Sequence, residues 1–257
     1  MGIARLLRAA MRRQGVASRA IREAIVMLDS RGLVHEGRVP LDEDKREFAV
    51  GAEELRSFGF EPGDQFDLEA VVRRVRPSVL VGTTGSPGCF TEGAIRQMAR
   101  SAPAPVVMPL SNPTSRTEAR PADVLAWTDG RALVATGSPF EAVERAGRTH
   151  VIGQANNAFA FPGVGLGAIV AEVREVSDEL FLAAAEALSE AVTPARLAQG
   201  GLYPSPSELR AVSRRIAVRV VRTARDRGIG RAFHDRDIEP AVDAAMWFPA
   251  YAAYVPG

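Results

Sequence analysis

The stretch that decides the fold is Val79-Leu-Val-Gly82, which is followed at once by Thr83-Thr-Gly-Ser-Pro-Gly88. An apolar run without polar alternation is typical of a strand that is buried on both faces of a parallel sheet. The same pattern returns at residues 106–110 and 132–135, and a helix candidate opened by Thr91-Glu92 separates the first two runs. Short apolar strands that alternate with helices predict βαβ units and a parallel sheet.

The chain on either side of these strands is predicted to be mostly helical. Toward the N-terminus, residues 24–28 form an uninterrupted apolar run that ends in Asp29, and we interpret this run as another buried parallel strand. The polar segment 41–67 is interrupted by Gly and Pro, which predicts a loop. Helical spacing is found in segments 3–13, 18–22, 68–76, 164–175, 178–191 and 207–227.

Composition indicates a soluble globular chain and excludes several other classes. Of the 257 residues, 46% are hydrophobic and 25% are charged, which argues against a disordered tail. There is no run of about 18 apolar residues, so we expect no membrane partner. The net charge of +1 provides no electrostatic basis for binding nucleic acid. Cys89 is the only cysteine, which is typical of a reducing cytoplasm.

Polar or glycine-rich residues follow the predicted strands, and ligands of open α/β sheets bind at the carboxyl ends of strands. Asp29, with Ser30 beside it, is placed to bond the ribose hydroxyls of a dinucleotide, although a turn that ends a strand explains Asp29 equally well. Gly82 and Gly85 would let backbone N–H groups approach a cofactor, with an ordinary βα turn as the alternative.

Asparagine side chains add candidates at the ends of later strands. Asn112 follows a strand and precedes proline, while Asn156 and Asn157 supply adjacent amides that can bind a carboxylate or a carboxamide. Turn formation is the alternative interpretation for all three. The three histidines lie far apart in the sequence, and we predict no metal ligands in this chain. Lys45 is the only lysine, and the excess of arginine is typical of a G+C-rich bacterial genome.

Several longer blocks, taken together, resemble the C-terminal, cofactor-binding domain of malic enzymes. The blocks are Val81-Gly-Thr-Thr-Gly-Ser-Pro-Gly-Cys-Phe-Thr-Glu92, Leu110-Ser-Asn-Pro-Thr-Ser-Arg-Thr-Glu118, Trp127-Thr-Asp-Gly-Arg-Ala-Leu133, Gly137-Ser-Pro-Phe140 and Gly153-Gln-Ala-Asn-Asn-Ala-Phe-Ala-Phe-Pro-Gly-Val-Gly-Leu-Gly167. Weaker similarity extends to both ends of the chain, so the resemblance covers nearly all of it.

The resemblance implies oxidative decarboxylation of L-malate to pyruvate and CO₂ with NAD or NADP, and with Mg or Mn in the complete enzyme. It implies that Asp29 is the acid that binds the cofactor ribose. It also implies that Asn112 and Asn157 lie near the nicotinamide and malate, with Asn156 beside them. One departure is Ala155, which stands where the family usually has glycine; a backbone φ above zero there would cost about 1 kcal/mol.

A second departure concerns the start of the domain. A dinucleotide fold places Gly-x-Gly-x-x-Gly/Ala about 20 residues before the ribose acid, which falls at or before residue 1 when counted back from Asp29. We therefore expect an α/β fold with a Rossmann-like parallel sheet that lacks its first strand, followed by C-terminal helices. The predicted domains are 1–165, a partial dinucleotide-binding domain, and 166–257, a helical region that packs on it.

The family's tyrosine and lysine acid and base, and its carboxylate metal ligands, match nothing in this chain. We therefore expect the NAD(P)-binding portion of a malic enzyme, cytoplasmic and inactive by itself, from an enzyme that forms a homo-oligomer. Two alternatives remain open. A malolactic enzyme shares the family and would produce lactate, and a non-catalytic nucleotide-binding or assembly module would produce neither product.

Overall fold

The computed structural model describes residues 1–61 and 64–248. Polar side chains cap the N-termini of several of its helices. Asp67 accepts the N–H group of Ala70 at 2.8 Å, and Thr91 accepts that of Ala94 at 3.2 Å. The α-helices of the described residues are α1 (Gly2–Arg13), α2 (Ser18–Ala24), α3 (Glu43–Arg46), α4 (Ala52–Ser57), α5 (Leu68–Val75), α6 (Glu92–Ser101), α7 (Pro121–Trp127), α8 (Phe161–Val170), α9 (Asp178–Ser189), α10 (Pro194–Ala198), α11 (Leu209–Asp226) and α12 (Asp235–Ala245).

Short strands complete the secondary structure of these residues. They are β1 (Leu28–Asp29), β2 (Gly32–Leu33), β3 (Val79–Gly82), β4 (Val106–Pro109), β5 (Leu133–Thr136), β6 (Val143–Arg145), β7 (Arg148–His150) and β8 (Gly153–Gln154). Four of them form one parallel sheet in the order β3-β4-β5-β8. The sheet and its helices confirm the predicted Rossmann-like class and the three predicted strands β3, β4 and β5. The antiparallel β6–β7 hairpin and β8 were not predicted.

Three helices cover one face of this sheet. Buried residues of α5, α6 and α7 pack against the strands in a single core: Val72, Ala94, Ile95, Met98, Val124 and Leu125 from the helices, with Val107 and Val134 from the sheet. On β3 the alternate side chains differ, since Val79 and Val81 are 49% and 37% exposed. β3 is also an edge strand, because in residues 1–61 and 64–248 it pairs only with β4. An apolar, unpaired edge is prone to associate with other strands.

The N-terminal region corrects one prediction. Residues 24–28 are not a buried parallel strand, because Ala24 ends α2 and only Leu28–Asp29 pairs, antiparallel, with Gly32–Leu33. A strand needs a neighbour whose backbone groups it can bond, and here the chain turns back at residues 30–31 and becomes its own neighbour.

The segment 41–67 is likewise less irregular than predicted, since it contains α3 and α4. Leu55 of α4 packs against a second core of Leu33, Val50, Phe60 and Val71. Val71 and Val72 are consecutive residues of α5, so this helix contributes to both cores.

The chain divides into two compact units. The first contains residues 1–156 and 192–204, and the second contains 157–191 and the chain from Ser205 onward. The predicted domain bounds, 1–165 and 166–257, stay a prediction. No helix among the residues that the structure describes is both long and apolar enough to cross a membrane.

The second unit is built around α11, and α8, α9 and α11 confirm the predicted C-terminal helices, with shifted bounds. Glycine lets α8 approach α11 closely. A Cβ at Gly163 would lie 2.6 Å from Ile216 Cβ, and one at Gly167 would lie 2.7 Å from Val220 Cβ. The core of this unit therefore depends on a tight helix pair.

Candidate cofactor-binding site

Three turns meet at the carboxyl edge of the parallel sheet. They are residues 83–88 after β3, residues 111–113 after β4 and residues 137–139 after β5. Backbone hydrogen bonds continue past the strand ends, from Leu110 N–H to Gly82 C=O at 2.8 Å and from Gly137 N–H to Pro109 C=O at 3.2 Å. The turns therefore stand side by side, where ligands of such sheets bind.

A buried carboxylate, Glu118, joins the first two turns. It accepts hydrogen bonds from Thr84 N–H at 2.7 Å, from the Thr84 hydroxyl at 2.9 Å, from Ser111 N–H at 3.2 Å and from the Ser111 hydroxyl. The residue is fully buried, and its four donors are neutral groups. Three of these bonds fall on Oε1 and one on Oε2, so both carboxylate oxygens are hydrogen-bonded without an ion pair.

The electrostatics of Glu118 follow from these bonds. Burial raises the pKa of its carboxyl, but the hydrogen bonds from Ser111 and Thr84 favour the charged form more strongly. The pKa of Glu118 therefore lies below its ordinary value. The carboxyl is a buried negative charge at neutral pH.

The backbone of the turn after β3 points toward this carboxylate. Thr84 N–H bonds Glu118, Gly85 N–H bonds the Ser111 hydroxyl at 2.9 Å, and Ser86 N–H bonds the Thr84 hydroxyl at 3.0 Å. These three N–H groups are therefore bonded within the protein, and the hypothesis that backbone N–H groups of this turn approach a cofactor stays a prediction.

The two predicted glycines have structural reasons of their own. A Cβ at Gly82 would lie 2.6 Å from Phe90 Cζ and 2.7 Å from Glu118 Cδ, so glycine makes room for the buried carboxylate. Gly85 has φ +66°, a conformation that side chains disfavour. Their contact with a cofactor stays a prediction.

Asn112 lies exposed at the carboxyl edge of the sheet. The Ser138 hydroxyl, from the turn after β5, donates to Asn112 Oδ1 at 2.6 Å, which leaves the Nδ2 amino group as the donor that Asn112 can offer a ligand. Gln154 extends this line of hydrogen bonds by donating to Gly137 C=O at 3.2 Å. The edge of the sheet is thus tied together from β3 to β8.

The two adjacent asparagines fall at the boundary between the compact units. Asn156 closes the long segment of the first unit and is half-buried, and its N–H bonds Gln154 C=O at 3.1 Å. Asn157 opens the second unit, is exposed, and begins the short 3-10 helix Asn157–Phe159. Ala155 does not have a positive φ, so the strain considered for alanine at this position does not arise.

Asp29 belongs to a separate cluster on the β1–β2 hairpin. Arg38 bonds both carboxylate oxygens, at 2.9 and 2.8 Å, while Lys45 Nζ lies 2.9 Å from Oδ2 and Arg31 N–H bonds Oδ1 at 2.8 Å. Hydrogen bonds from Arg38 hold the pKa of Asp29 well below its ordinary value, against the opposing effect of burial. Ser30 is exposed beside it.

This cluster bears on whether Asp29 fits a cofactor ribose. Its four acceptor positions are already occupied, so a ribose hydroxyl has to displace one of the present donors. Of the two cations that contact Asp29, Lys45 is the more exposed, with 34% of its side chain accessible against 11% for Arg38. The residues fit a ribose only if Lys45 moves away.

The structure thus brings Gly82, Gly85 and Asn112 together, and it places Asp29 with Ser30 in a different hydrogen-bonded group. Sequence reasoning missed Glu118 and Ser138, although both lie inside blocks that carry the family resemblance. Among residues 1–61 and 64–248, no group of three or more His, Cys, Asp or Glu side chains is placed to hold a metal ion.

A parallel α/β sheet whose polar turns share its carboxyl edge places this chain in the class of Rossmann-like domains. Residues 1–225 match the family model described as malic enzyme, NAD binding domain. The chain belongs to the malic enzyme family.

The relatives that it matches are named NAD-dependent malic enzymes. The chain is 40% identical over 253 residues to the NAD-dependent malic enzyme of Pseudomonas aeruginosa (strain UCBPP-PA14), covering 98% of this chain and 45% of that protein. It is 38% identical, with the same coverage, to that of Vibrio parahaemolyticus serotype O3:K6. The chain spans less than half the length of the curated relatives it matches.

Solved structures support the same fold. The crystal structure of Entamoeba histolytica malic enzyme aligns with a TM-score of 0.65 at 23% identity, covering 90% of this chain and 44% of that one. Malic enzyme from Pyrococcus horikoshii Ot3 aligns with a TM-score of 0.51 at 26% identity, covering 67% and 36%.

Proposed function

We propose that this chain is the NAD(P)-binding part of an enzyme that oxidises and decarboxylates L-malate to pyruvate and CO₂. The observation that carries the proposal is the Asn112 amide, oriented by Ser138 at the carboxyl edge of the sheet of a malic enzyme NAD binding domain. Bound at this edge of the sheet, NAD(P) would supply the acceptor for the hydride of malate C2. The atoms balance as malate and NAD⁺ giving pyruvate, CO₂ and NADH.

Within this reaction the chain's own residues would bind and orient. Asn112 would donate its Nδ2 amino group to a carboxylate or carboxamide oxygen, and Asn157 would supply a second amide. Gly82 and Gly85 would allow close approach of the cofactor, and Asn156 would lie near it. Mg or Mn would be bound outside these residues, in the complete enzyme.

The Asp29 cluster would determine coenzyme choice. Free ribose hydroxyls of NAD would bind Asp29 after Lys45 withdraws, whereas a 2′-phosphate of NADP would bind Lys45 and be repelled by Asp29. The NAD-dependent relatives support the first reading. Replacement of Lys45 by alanine should shift the ratio of NAD to NADP affinity; an unchanged ratio would remove Lys45 from this proposal.

Binding to the 257-residue chain tests the proposal directly. Saturation-transfer NMR with NAD⁺ should show transfer to the nicotinamide protons. Asn112→Ala should weaken this transfer by about tenfold, because the variant loses one hydrogen bond to a charged or strongly polar group. Thr114→Ala, at an exposed position two residues away, is the matched control. No transfer in the folded wild-type chain would contradict the proposal.

Turnover should require more than this chain. We expect the purified chain to give no malate-dependent reduction of NAD or NADP with Mg or Mn, because the acid, base and metal ligands implied by the family resemblance match none of its residues. Fusion to the part of the Pseudomonas aeruginosa relative that this chain does not cover should restore turnover. Lactate instead of pyruvate as the product would favour the malolactic alternative.

We propose that the complete enzyme is cytoplasmic and homo-oligomeric. A lone cysteine fits a reducing compartment. Exposed apolar side chains on α1, Ile3 and Leu7 at about half exposure, offer surface for self-association. Size-exclusion chromatography of the fusion checks the oligomeric state.

A further inference from the structure

Glu118 stands out because a buried charge is expensive and this one has no cation beside it among its bonded groups. Its partner Thr84 directly precedes Gly85, and its partner Ser111 directly precedes Asn112; Gly85 and Asn112 are predicted ligand-binding residues. Nothing in the reaction described above uses this carboxylate.

The bonds around Glu118 have a fixed direction. Both hydroxyls donate to the carboxylate, so their lone pairs are left to accept, and they accept the N–H groups of Ser86 and Gly85. The Glu118 carboxylate thereby orients three successive backbone N–H groups. It accepts Thr84 N–H directly, and it holds the two hydroxyls that accept the N–H groups of Gly85 and Ser86.

A neutral amide cannot reproduce this pattern. Glutamine offers one acceptor oxygen and one NH₂ donor, while the two backbone N–H groups of Thr84 and Ser111 cannot reverse their direction. In Glu118→Gln the NH₂ would face one of these N–H groups, and that N–H would lose its partner. A carboxylate is therefore required at this position.

We propose that Glu118 is a positioning residue of the cofactor site: it locks the turn 83–86 onto Ser111 and so sets where Asn112 presents its amide. The proposal rests on the proposed NAD(P)-binding function. From the opposite side, Ser138 fixes the Asn112 amide, so its position has two supports.

The test uses the full 257-residue chain and two independent measurements. The amide NMR resonances of Thr84, Gly85 and Ser111 show whether the turn 83–86 is hydrogen-bonded to Ser111 through Glu118. Saturation transfer from the protein to NAD⁺ shows whether the cofactor binds. Glu118→Gln should shift all three amide resonances and weaken nicotinamide-proton transfer by about tenfold, while adenine-proton transfer changes little. Glu118→Asp keeps the charge and should recover part of the nicotinamide signal.

Glu92→Gln is the matched control, because Glu92 is an exposed carboxylate on neighbouring α6 that pairs only with Arg96 in the bonds described. It should change neither measurement. A purely structural role would lower nicotinamide and adenine transfer together, since both would follow the folded fraction.

Each outcome decides between the proposals. Equal nicotinamide transfer in folded Glu118→Gln and wild type would overturn the role of Glu118 and leave the proposed function intact. No NAD⁺ signal in the wild type would overturn the proposed function, and unchanged amide resonances in Glu118→Gln would overturn the lock. If Glu118→Gln fails to fold, Ser111→Ala removes the hydroxyl link instead, and unchanged nicotinamide transfer there would overturn the proposal.

Discussion

Asp29 and Glu118 are two carboxylates that each accept four hydrogen bonds in opposite surroundings. Asp29 is partly exposed on a hairpin, and its donors include the cations Arg38 and Lys45. Glu118 is fully buried and its donors are neutral N–H and hydroxyl groups. The first carboxylate can exchange the accessible cation Lys45 for a ligand, whereas the second, on releasing Ser111, would leave a buried N–H group unpaired.

This difference predicts that the largest effect comes from Glu118. Replacement by leucine would leave the buried N–H group of Ser111 and the partly buried N–H group of Thr84 without an acceptor, and we expect the free energy of unfolding to fall by about 2–4 kcal/mol. Urea unfolding followed by circular dichroism measures it. A loss below about 1 kcal/mol would show that the turn 83–86 rearranges easily, and it would contradict the difference drawn between Glu118 and Asp29.

Asp29→Asn should have a smaller effect. Arg38 keeps its bonds to the carbonyl groups of Gly32 and Leu33, and Lys45 can turn toward water or Asp42, so we expect a loss of about 1–2 kcal/mol. Asp44→Asn, which removes a more exposed carboxylate paired with Arg5, is the control. An effect as large as that of Glu118→Leu would mean that exposure does not separate the two sites.

Acid should affect both carboxylates in the same direction. Their pKa values are lowered in the folded chain, so the stability they contribute is complete above the ordinary pKa of about 4 and is lost as pH falls toward the lower folded value. Protonation of Asp29 removes no more than Asp29→Asn does. The melting temperature should therefore fall less between pH 6 and pH 2.5 in Asp29→Asn than in wild type. An equal fall in both proteins would contradict the assignment of acid-sensitive stability to Asp29.

Salt should produce the smallest and most selective change. Screening at 1 M NaCl reaches the exposed side of the Asp29 cluster, so the cost of Asp29→Asn should shrink by about 0.3–0.5 kcal/mol, while the cost of Glu118→Gln stays the same because its donors carry no net charge. Urea unfolding at 0.1 and 1 M NaCl measures both. Equal salt sensitivity would contradict the distinction.

Sequence patterns located much of the site but not its internal chemistry. The apolar runs predicted β3, β4 and β5, and their polar ends predicted the edge at which Gly82, Gly85 and Asn112 meet. The same rule placed a parallel strand at residues 24–28, where the chain forms a hairpin instead. An apolar run indicates a strand, but it carries no information about which neighbour the strand will find.

The sequence by itself determined the α/β class, the succession of β3, β4 and β5 along the chain and the membership of a family, because hydrophobic spacing and motif blocks are local properties. Only the tertiary structure decided what the polar groups do. Thr84 and Glu118 are 34 residues apart, and Asn112 and Ser138 are 26 apart, so neither pair is visible as a pattern. The turn that resembles a ligand-binding loop uses its N–H groups on Glu118 and its partners, and Asp29 is already neutralised by Arg38 and Lys45. Hydrogen bonds depend on distance and direction in space, and only the folded chain specifies these.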